Sequence, residues 1–137
     1  MIAVIDTNVL VSGMINADGS PGRIVDLIRT GDVIPAVDDR ILEEYADVLS
    51  REYFERYFSM DDISAILDFL SGESHRVVCN AIVSSLPDPG DTPFLETALS
   101  ANVPLITGNK KHFKSTAGRQ CEVLTPVEFL QKYFISK

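Results

Sequence analysis

Short apolar runs and apolar residues at helical spacing alternate along the chain. The first run, Ile2–Ile5, is unbroken and rich in β-branched side chains, which is typical of a strand buried on both faces. Further short runs predict strands at 33–34, 76–79, 103–106 and 121–124. Apolar residues three and four positions apart predict helices that begin near 9 and that lie within 20–31, 41–49, 63–70, 94–99 and 127–134. This alternation indicates an α/β fold of three layers (α/β/α), with a central, mainly parallel sheet covered on both faces.

Turn-forming and capping residues mark the ends of several predicted elements. Ser20 can cap a helix that has Pro21 in its first turn and Gly31 at its end. Pro35 is expected to end the short strand that precedes it, because proline cannot donate a backbone hydrogen bond. Thr125 precedes a proline and is expected to open the last helix.

Length and composition indicate a single domain over residues 1–137, with a sizeable core. The longest apolar runs are too short to span a bilayer, and no basic segment precedes an apolar stretch as in a signal peptide. Cys79 and Cys121 each lie in a short β-like run and are expected to be small core residues under reducing conditions. These features predict a cytoplasmic protein without a membrane partner.

Charge is unevenly distributed along the chain. The net charge of −8 argues against non-specific nucleic-acid binding by the surface as a whole. Residues 1–96 hold 18 acids and 6 bases, whereas residues 97–137 hold 2 acids and 6 bases. An acidic body with one basic edge suits a metal site beside a phosphate-binding lip, but it also suits an ordinary solvated surface.

Polar residues follow two of the predicted buried strands. Asp6 ends the first, and Thr107, Gly108 and Asn109 follow the strand at 103–106. Parallel strands bring their carboxyl ends to one edge of the sheet, so these residues should meet there. The alternative is that Asp6 merely caps the helix that follows it.

Further acids can reach the same edge. Glu44 lies one helical turn from both Ile41 and Val48 and so borders the buried face, whereas Glu43 lies on the wet face. A carboxylate beside the core needs a partner. The alternative is that Glu44 simply reaches solvent or pairs with an arginine.

The loop at 87–93 supplies two more acids, Asp88 and Asp91. Pro93 suits the first position of a helix, which makes Thr92 the expected cap and leaves Asp91 free to point elsewhere. The alternative is a turn in which both acids satisfy local backbone donors.

Three or four carboxylates at one edge would repel each other unless a cation held them. Oxygen ligands without histidine or cysteine favour a hard ion, Mg²⁺ or Mn²⁺. Such ions commonly bridge carboxylates to phosphates, so phosphodiester hydrolysis is the natural chemistry.

Four motifs in this order resemble the PIN-domain family, most closely its prokaryotic branch described as toxin components of toxin–antitoxin systems. They read IDTNVL at 5–10, LEEYADVL at 42–49, PDPGDTPFLETA at 87–98 and LITGNKKHF at 105–113. The resemblance covers nearly the whole chain. It implies a parallel sheet flanked by helices, Mg²⁺- or Mn²⁺-dependent cleavage of RNA, dimerisation and, in many members, an antitoxin that inserts a segment into the active site.

The resemblance also assigns roles to individual residues. The family's three acids match Asp6, Glu44 and Asp91, which we expect to hold the metal, and its strand-end threonine matches Thr107. Its frequent fourth acid falls at Asn109, which departs from the common pattern and leaves one firmly held metal as our prediction. The expected supporting residues are Asn8, Thr107, Asp88 and Glu96, and the expected contacts to the RNA backbone are Lys110, Lys111 and His112.

Two other readings differ in chemistry. A phosphoacceptor receiver domain is also α/β with an aspartate at a strand end, but it would need an acidic pair where the first strand offers only Asp6. A PIN-like module that binds RNA or protein without activity is the other alternative, and Asn109 is the feature that favours it.

Overall fold

The computed structural model describes residues 1–83, 86–114 and 120–134. Five strands form one sheet: β1 (Ile2–Ile5), β2 (Ile34–Val37), β3 (His75–Arg76), β4 (Leu105–Ile106) and β5 (Val123–Leu124). Six α-helices accompany them: α1 (Thr7–Ile15), α2 (Ser20–Thr30), α3 (Asp39–Leu49), α4 (Met60–Glu73), α5 (Thr92–Ala101) and α6 (Pro126–Tyr133). Short 3-10 turns occur at Glu52–Phe54, Pro89–Asp91 and Lys110–Phe113.

All neighbouring strands run parallel, in the order β3-β2-β1-β4-β5. The chain builds the sheet outward from β1 to β3 and then returns to add β4 on the other side of β1. The strand order therefore reverses between β1 and β4, and in open α/β sheets this switch point is where ligands bind. The predicted α/β architecture with a parallel central sheet is confirmed.

Helices flank the sheet on both faces. Successive residues of a strand point to opposite faces, and Ala3, Val4 and Ile5 are all 0–1% exposed, so neither face of β1 meets water. The core also takes in Ile24 of α2, and Phe129 of α6 is fully buried in it. None of the helices in the described ranges combines the length and the apolar character needed to cross a membrane.

Several predicted boundaries need correction. Pro35 does not end a strand but lies within β2, where Ile34 donates its amide hydrogen to Met1 O towards β1. Residues alternate along a strand, so the nitrogen of Pro35 faces the β3 side, and pairing there begins only at Ala36. Proline therefore removes no ladder bond.

Strands β3, β4 and β5 are shorter than the apolar runs that predict them, because only two residues of each pair with a neighbouring strand. The predicted strand at 76–79 is paired only at His75–Arg76, and Val78 is 92% exposed. Helix α2 has Gly19 rather than Ser20 at its N-cap, whereas Gly31 adopts the expected left-handed conformation at its end. Both cysteines are free and half-buried.

Candidate active site

The carboxylate of Asp6 lies at the switch point between β1 and β4. The Asp6 amide donates to Ile106 O at 2.9 Å, and the Thr107 hydroxyl donates to Asp6 Oδ2 at 2.6 Å. Thr107 is completely buried and Asp6 is 7% exposed, so the two side chains are held rigidly. Two residues that are 101 positions apart thus form the floor of one site.

Burial governs the electrostatics of Asp6. Desolvation raises its pKa above the usual aspartate value, and the hydrogen bond from Thr107 only partly offsets this. Asp6 occupies the N-cap position of α1, but its side chain makes no cap hydrogen bond. The amides of Thr7 and Asn8 lower its pKa slightly, so helix capping is not the main use of this carboxylate.

Helix α3 brings Glu44 to the same place. The Thr7 hydroxyl donates to Glu44 Oε2 at 3.3 Å. Glu44 is half-buried whereas Glu43 is exposed, as the apolar stripe of this helix predicts. The neighbouring residue, Tyr45, is 1% exposed and donates its hydroxyl hydrogen to Ile5 O at 2.5 Å, which fixes α3 against the end of β1.

Asp91 closes the 3-10 turn before α5. It occupies the N-cap position of that helix, one residue earlier than the predicted cap Thr92, and makes no cap hydrogen bond. Its Oδ2 atom is buried without a hydrogen-bond partner, although His112 Nδ1 lies 3.3 Å away in a poorly aligned contact. Burial, then repulsion from Asp6 and Asp88, raises the pKa of Asp91.

Asp88 and Asn109 complete the acidic side of the cleft. Asp88 accepts a hydrogen bond from the Gly90 amide at 2.9 Å, so it does form the local turn that was the alternative for this loop. The backbone amide of Asn109 donates to Thr107 Oγ1 at 3.1 Å, which directs the segment after β4 towards Asp6.

These residues line a cleft of about 170 Å³. Most of the residues proposed from the sequence border it: Asp6, Asn8, Glu44, Asp88, Asp91, Asn109 and His112. Thr107 does not line the cleft itself but donates a hydrogen bond to Asp6, which does. Four carboxylates in so small a space leave a strong excess of negative charge.

Three proposed residues lie elsewhere. Glu96 is 8% exposed, binds Arg40 at 2.7 Å and accepts the Val83 amide at 2.9 Å. It is five residues beyond Asp91, and at 100° per residue an α-helix turns it well away from the cleft. Lys110 Nζ binds the Glu128 carboxylate at 3.0 and 3.3 Å, and Lys111 is exposed outside the cleft. Arg119, which belongs to the same basic stretch of sequence as Lys110 and Lys111, lies outside the described residues.

Sequence reasoning did not find Arg51, Thr7 or Tyr45. Arg51 lines the cleft from just beyond α3. It lies after the C-cap of α3, so helical spacing provided no signal for it. Tyr45 was assigned only to the apolar stripe, because spacing does not reveal what a buried hydroxyl contacts.

The donor set fits a hard divalent cation. Asp6, Glu44 and Asp91 offer only carboxylate oxygens, and Oδ2 of Asp91 is buried without a hydrogen-bond partner. Within the described ranges, no three acidic, histidine or cysteine side chains already lie close enough to form a metal cage. Mg²⁺ keeps several of its waters and needs only one or two direct carboxylates, so a looser arrangement suits it.

Known proteins share this architecture. The family model described as "PIN domain" matches residues 3–111. The uncharacterized protein MJ1680 of Methanocaldococcus jannaschii is 30% identical over a 145-residue alignment that covers 97% of this chain and 93% of that protein. A chain from the crystal structure of VapBC2 from Rickettsia felis, bound to a DNA fragment from their promoter, superposes with a TM-score of 0.60 at 15% identity. That match covers 91% of this chain and 98% of the other. This chain belongs to the PIN domain family.

Proposed function

We propose that the chain is a divalent-metal-dependent endoribonuclease that forms a single nuclease domain over residues 1–137. The observation that supports this most directly is the convergence of Asp6, Glu44 and Asp91 on one cleft, with Asp91 Oδ2 buried and unpartnered. Family membership adds independent support, since the resemblance of the four motifs implies metal-dependent RNA cleavage.

The metal would be held by Asp6, Glu44 and Asp91, and a Mg²⁺ or Mn²⁺ ion supplies the charge that polarises a phosphodiester and activates water. The chain's own groups prepare the site for it. Thr107 orients the Asp6 carboxylate, and Thr7 does the same for Glu44. Asn8 and Asn109 offer amide oxygens and hydrogens that can orient water or substrate without adding charge.

The adjacent glutamates of α3 provide the test. Glu44→Gln should lose Mn²⁺-dependent RNA cleavage by at least tenfold, because it removes a carboxylate from the cleft. Glu43→Gln removes the same charge one residue away on the exposed face and should keep nearly full activity. Cleavage of a labelled RNA in Mn²⁺ and in chelator, beside calorimetric Mn²⁺ titrations of the three proteins, measures both effects.

Equal losses in the two variants would contradict the assignment of Glu44 to the site. Wild-type protein that binds Mn²⁺ but cleaves no RNA would favour the second candidate, an inactive PIN-like binding module. The amide at Asn109, in place of the family's frequent fourth acid, is the observation in favour of that candidate.

We further propose that the protein is the toxin component of a toxin–antitoxin pair and forms a homodimer. The motif resemblance and the structural similarity to a chain of VapBC2 support this assignment. A short neighbouring gene encoding a DNA-binding protein that copurifies with this chain is the expected finding, together with a dimeric mass by light scattering.

A further inference from the structure

The described residues place two positively charged or chargeable side chains on the wall of the acidic cleft, Arg51 and His112. Arg51 follows the C-terminal end of α3, and His112 lies in the 3-10 turn after β4. The two side chains therefore approach the cleft from different parts of the chain. His112 Nδ1 lies 3.3 Å from Asp91 Oδ2, whereas Arg51 lines the cleft just beyond the end of α3, the helix that carries Glu44.

Arg51 is only weakly engaged by the protein. Its guanidinium group lies 3.2 Å from Asp47, and the two side chains are 59% and 70% exposed. Exposed ion pairs of this kind contribute little to stability, so a stronger acceptor can displace Asp47. None of the ion pairs in the described residues joins Arg51 to Asp6, Glu44 or Asp91, so it is not consumed in neutralising the cleft.

Lys110 is in a different situation. It binds both oxygens of Glu128, which also closes the capping box at the start of α6. Lys110 therefore already joins the turn after β4 to the first turn of α6. Arg51 can move towards a ligand without breaking a contact between distant parts of the chain, because Asp47 lies only four residues before it.

We propose that Arg51 binds a backbone phosphate of single-stranded RNA next to the scissile phosphodiester. The inference rests on the proposed function, since it takes the cleft carboxylates to be the cleavage site. A guanidinium group presents a planar fork of donors that matches two phosphate oxygens. A protein with a net charge of −8 repels RNA over most of its surface, so a local cation at the cleft has a large effect on binding.

Salt dependence of RNA binding tests the contact directly. We would measure the affinity for a fluorescein-labelled 12-nucleotide oligouridylate by anisotropy, in Ca²⁺ and at several KCl concentrations, and check on a gel that the probe stays intact. Arg51→Ala should weaken binding several-fold and lower the slope of log K against log [KCl] by about 0.7, the value for one lost phosphate contact to a single strand. Arg51→Lys should restore the slope but only part of the affinity, because the charge returns without the fork.

Two matched controls separate this role from a structural one. Arg29→Ala also removes one positive charge and breaks an exposed ion pair within one helix, with Asp26, but it does not line the cleft. Asp47→Ala breaks the same ion pair as Arg51→Ala while leaving the guanidinium group in place. Both controls should keep the wild-type slope.

The inference is overturned if Arg51→Ala behaves like Arg29→Ala, if Asp47→Ala weakens binding as much as Arg51→Ala, or if the wild type does not bind the probe. The proposed function fails separately. A wild type that binds RNA through Arg51 but never cleaves it in Mn²⁺ would refute the nuclease and leave the phosphate contact standing. A wild type that cleaves RNA with a salt slope indifferent to Arg51 would refute the contact alone.

Discussion

The burial of Asp6 and Asp91 makes the stability of the protein depend on pH. Both have a pKa above the ordinary aspartate value, first because burial penalises their charged forms. A raised pKa in the folded state means that the folded protein binds the proton more tightly than the unfolded chain does. Their contribution to stability is therefore fully present at low pH and is lost as the pH rises through the folded-state pKa values.

Asp6→Asn should therefore make the metal-free protein more stable, and increasingly so as the pH rises. As the pH falls the aspartate becomes protonated and resembles asparagine, whereas as the pH rises the wild type acquires a buried charge that the variant lacks. The asparagine oxygen can still accept the hydrogen bond from Thr107. Thermal melts in chelator at several pH values should show a gap in melting temperature that widens as the pH rises and closes as it falls.

Added Mn²⁺ provides the control for this prediction. It should stabilise the wild type much more than Asp6→Asn, because only the wild type keeps the full ligand set. A variant that melts below the wild type in chelator at pH 7 would show that Asp6 serves mainly to cap α1.

Asn109 sets the charge of the site. Asn109 lines the cleft, and its backbone amide is hydrogen-bonded to Thr107. An aspartate at this position would therefore face the other acids. Asn109→Asp should tighten Mn²⁺ binding and favour a second ion, because one more negative charge offsets the cost of the second cation. Calorimetric titration gives both affinity and stoichiometry. If neither changes, position 109 does not belong to the metal site.

At the scale of elements, the site depends on how α3 sits against β1. The contact between Tyr45 and Ile5 O joins the helix that carries Glu44 to the strand that ends at Asp6. Complete burial, and then the nearby negative charge on Asp6 and Glu44, raises the pKa of Tyr45, so its hydroxyl remains a neutral donor. We therefore regard Tyr45 as a positioning residue for the two carboxylates.

Tyr45→Phe should lower the free energy of unfolding by about 1–3 kcal/mol, because a buried carbonyl loses its donor. It should also weaken Mn²⁺ binding, which a purely structural hydrogen bond would not affect. Tyr57→Phe is the control, since Tyr57 is 43% exposed and its ring contact with Arg56 does not need the hydroxyl. Unchanged Mn²⁺ affinity in a folded Tyr45→Phe protein would limit Tyr45 to stability.

Elements also explain which parts of the site the sequence predicts. Asp6 and Thr107 follow short apolar runs, and the rule that parallel strands end at one edge brings them together without further information. Glu96 belongs to the same motif as Asp91 but does not line the cleft, because the rotation of helix α5 turns its side chain to Arg40. Arg51 went unnoticed because it lies beyond the last apolar residue of α3, where periodicity no longer indicates a direction.

At the scale of the whole molecule, the order of the strands brings together two sets of cleft residues that are far apart in the sequence. Residues 1–51 supply Asp6, Glu44 and Arg51, whereas residues 88–112 supply Asp88, Asp91, Asn109 and His112. These two sets meet only because β4 pairs with β1 instead of with β3, its predecessor in the chain. Alternation of strands and helices predicts a parallel sheet, but it leaves the order of the strands open.

The pairing of β4 with β1 also governs when the cleft can exist during synthesis. A ribosome releases the chain from its N-terminus, so Asp6 and Glu44 emerge long before Thr107 and Asn109 do. Until β4 has left the ribosome and docked on β1, the growing chain has its four cleft acids but lacks Thr107, which orients Asp6. The nuclease proposed above would complete its site only after residues 105–109 have been synthesised, so a shorter nascent chain would pose no threat to the RNA that encodes it.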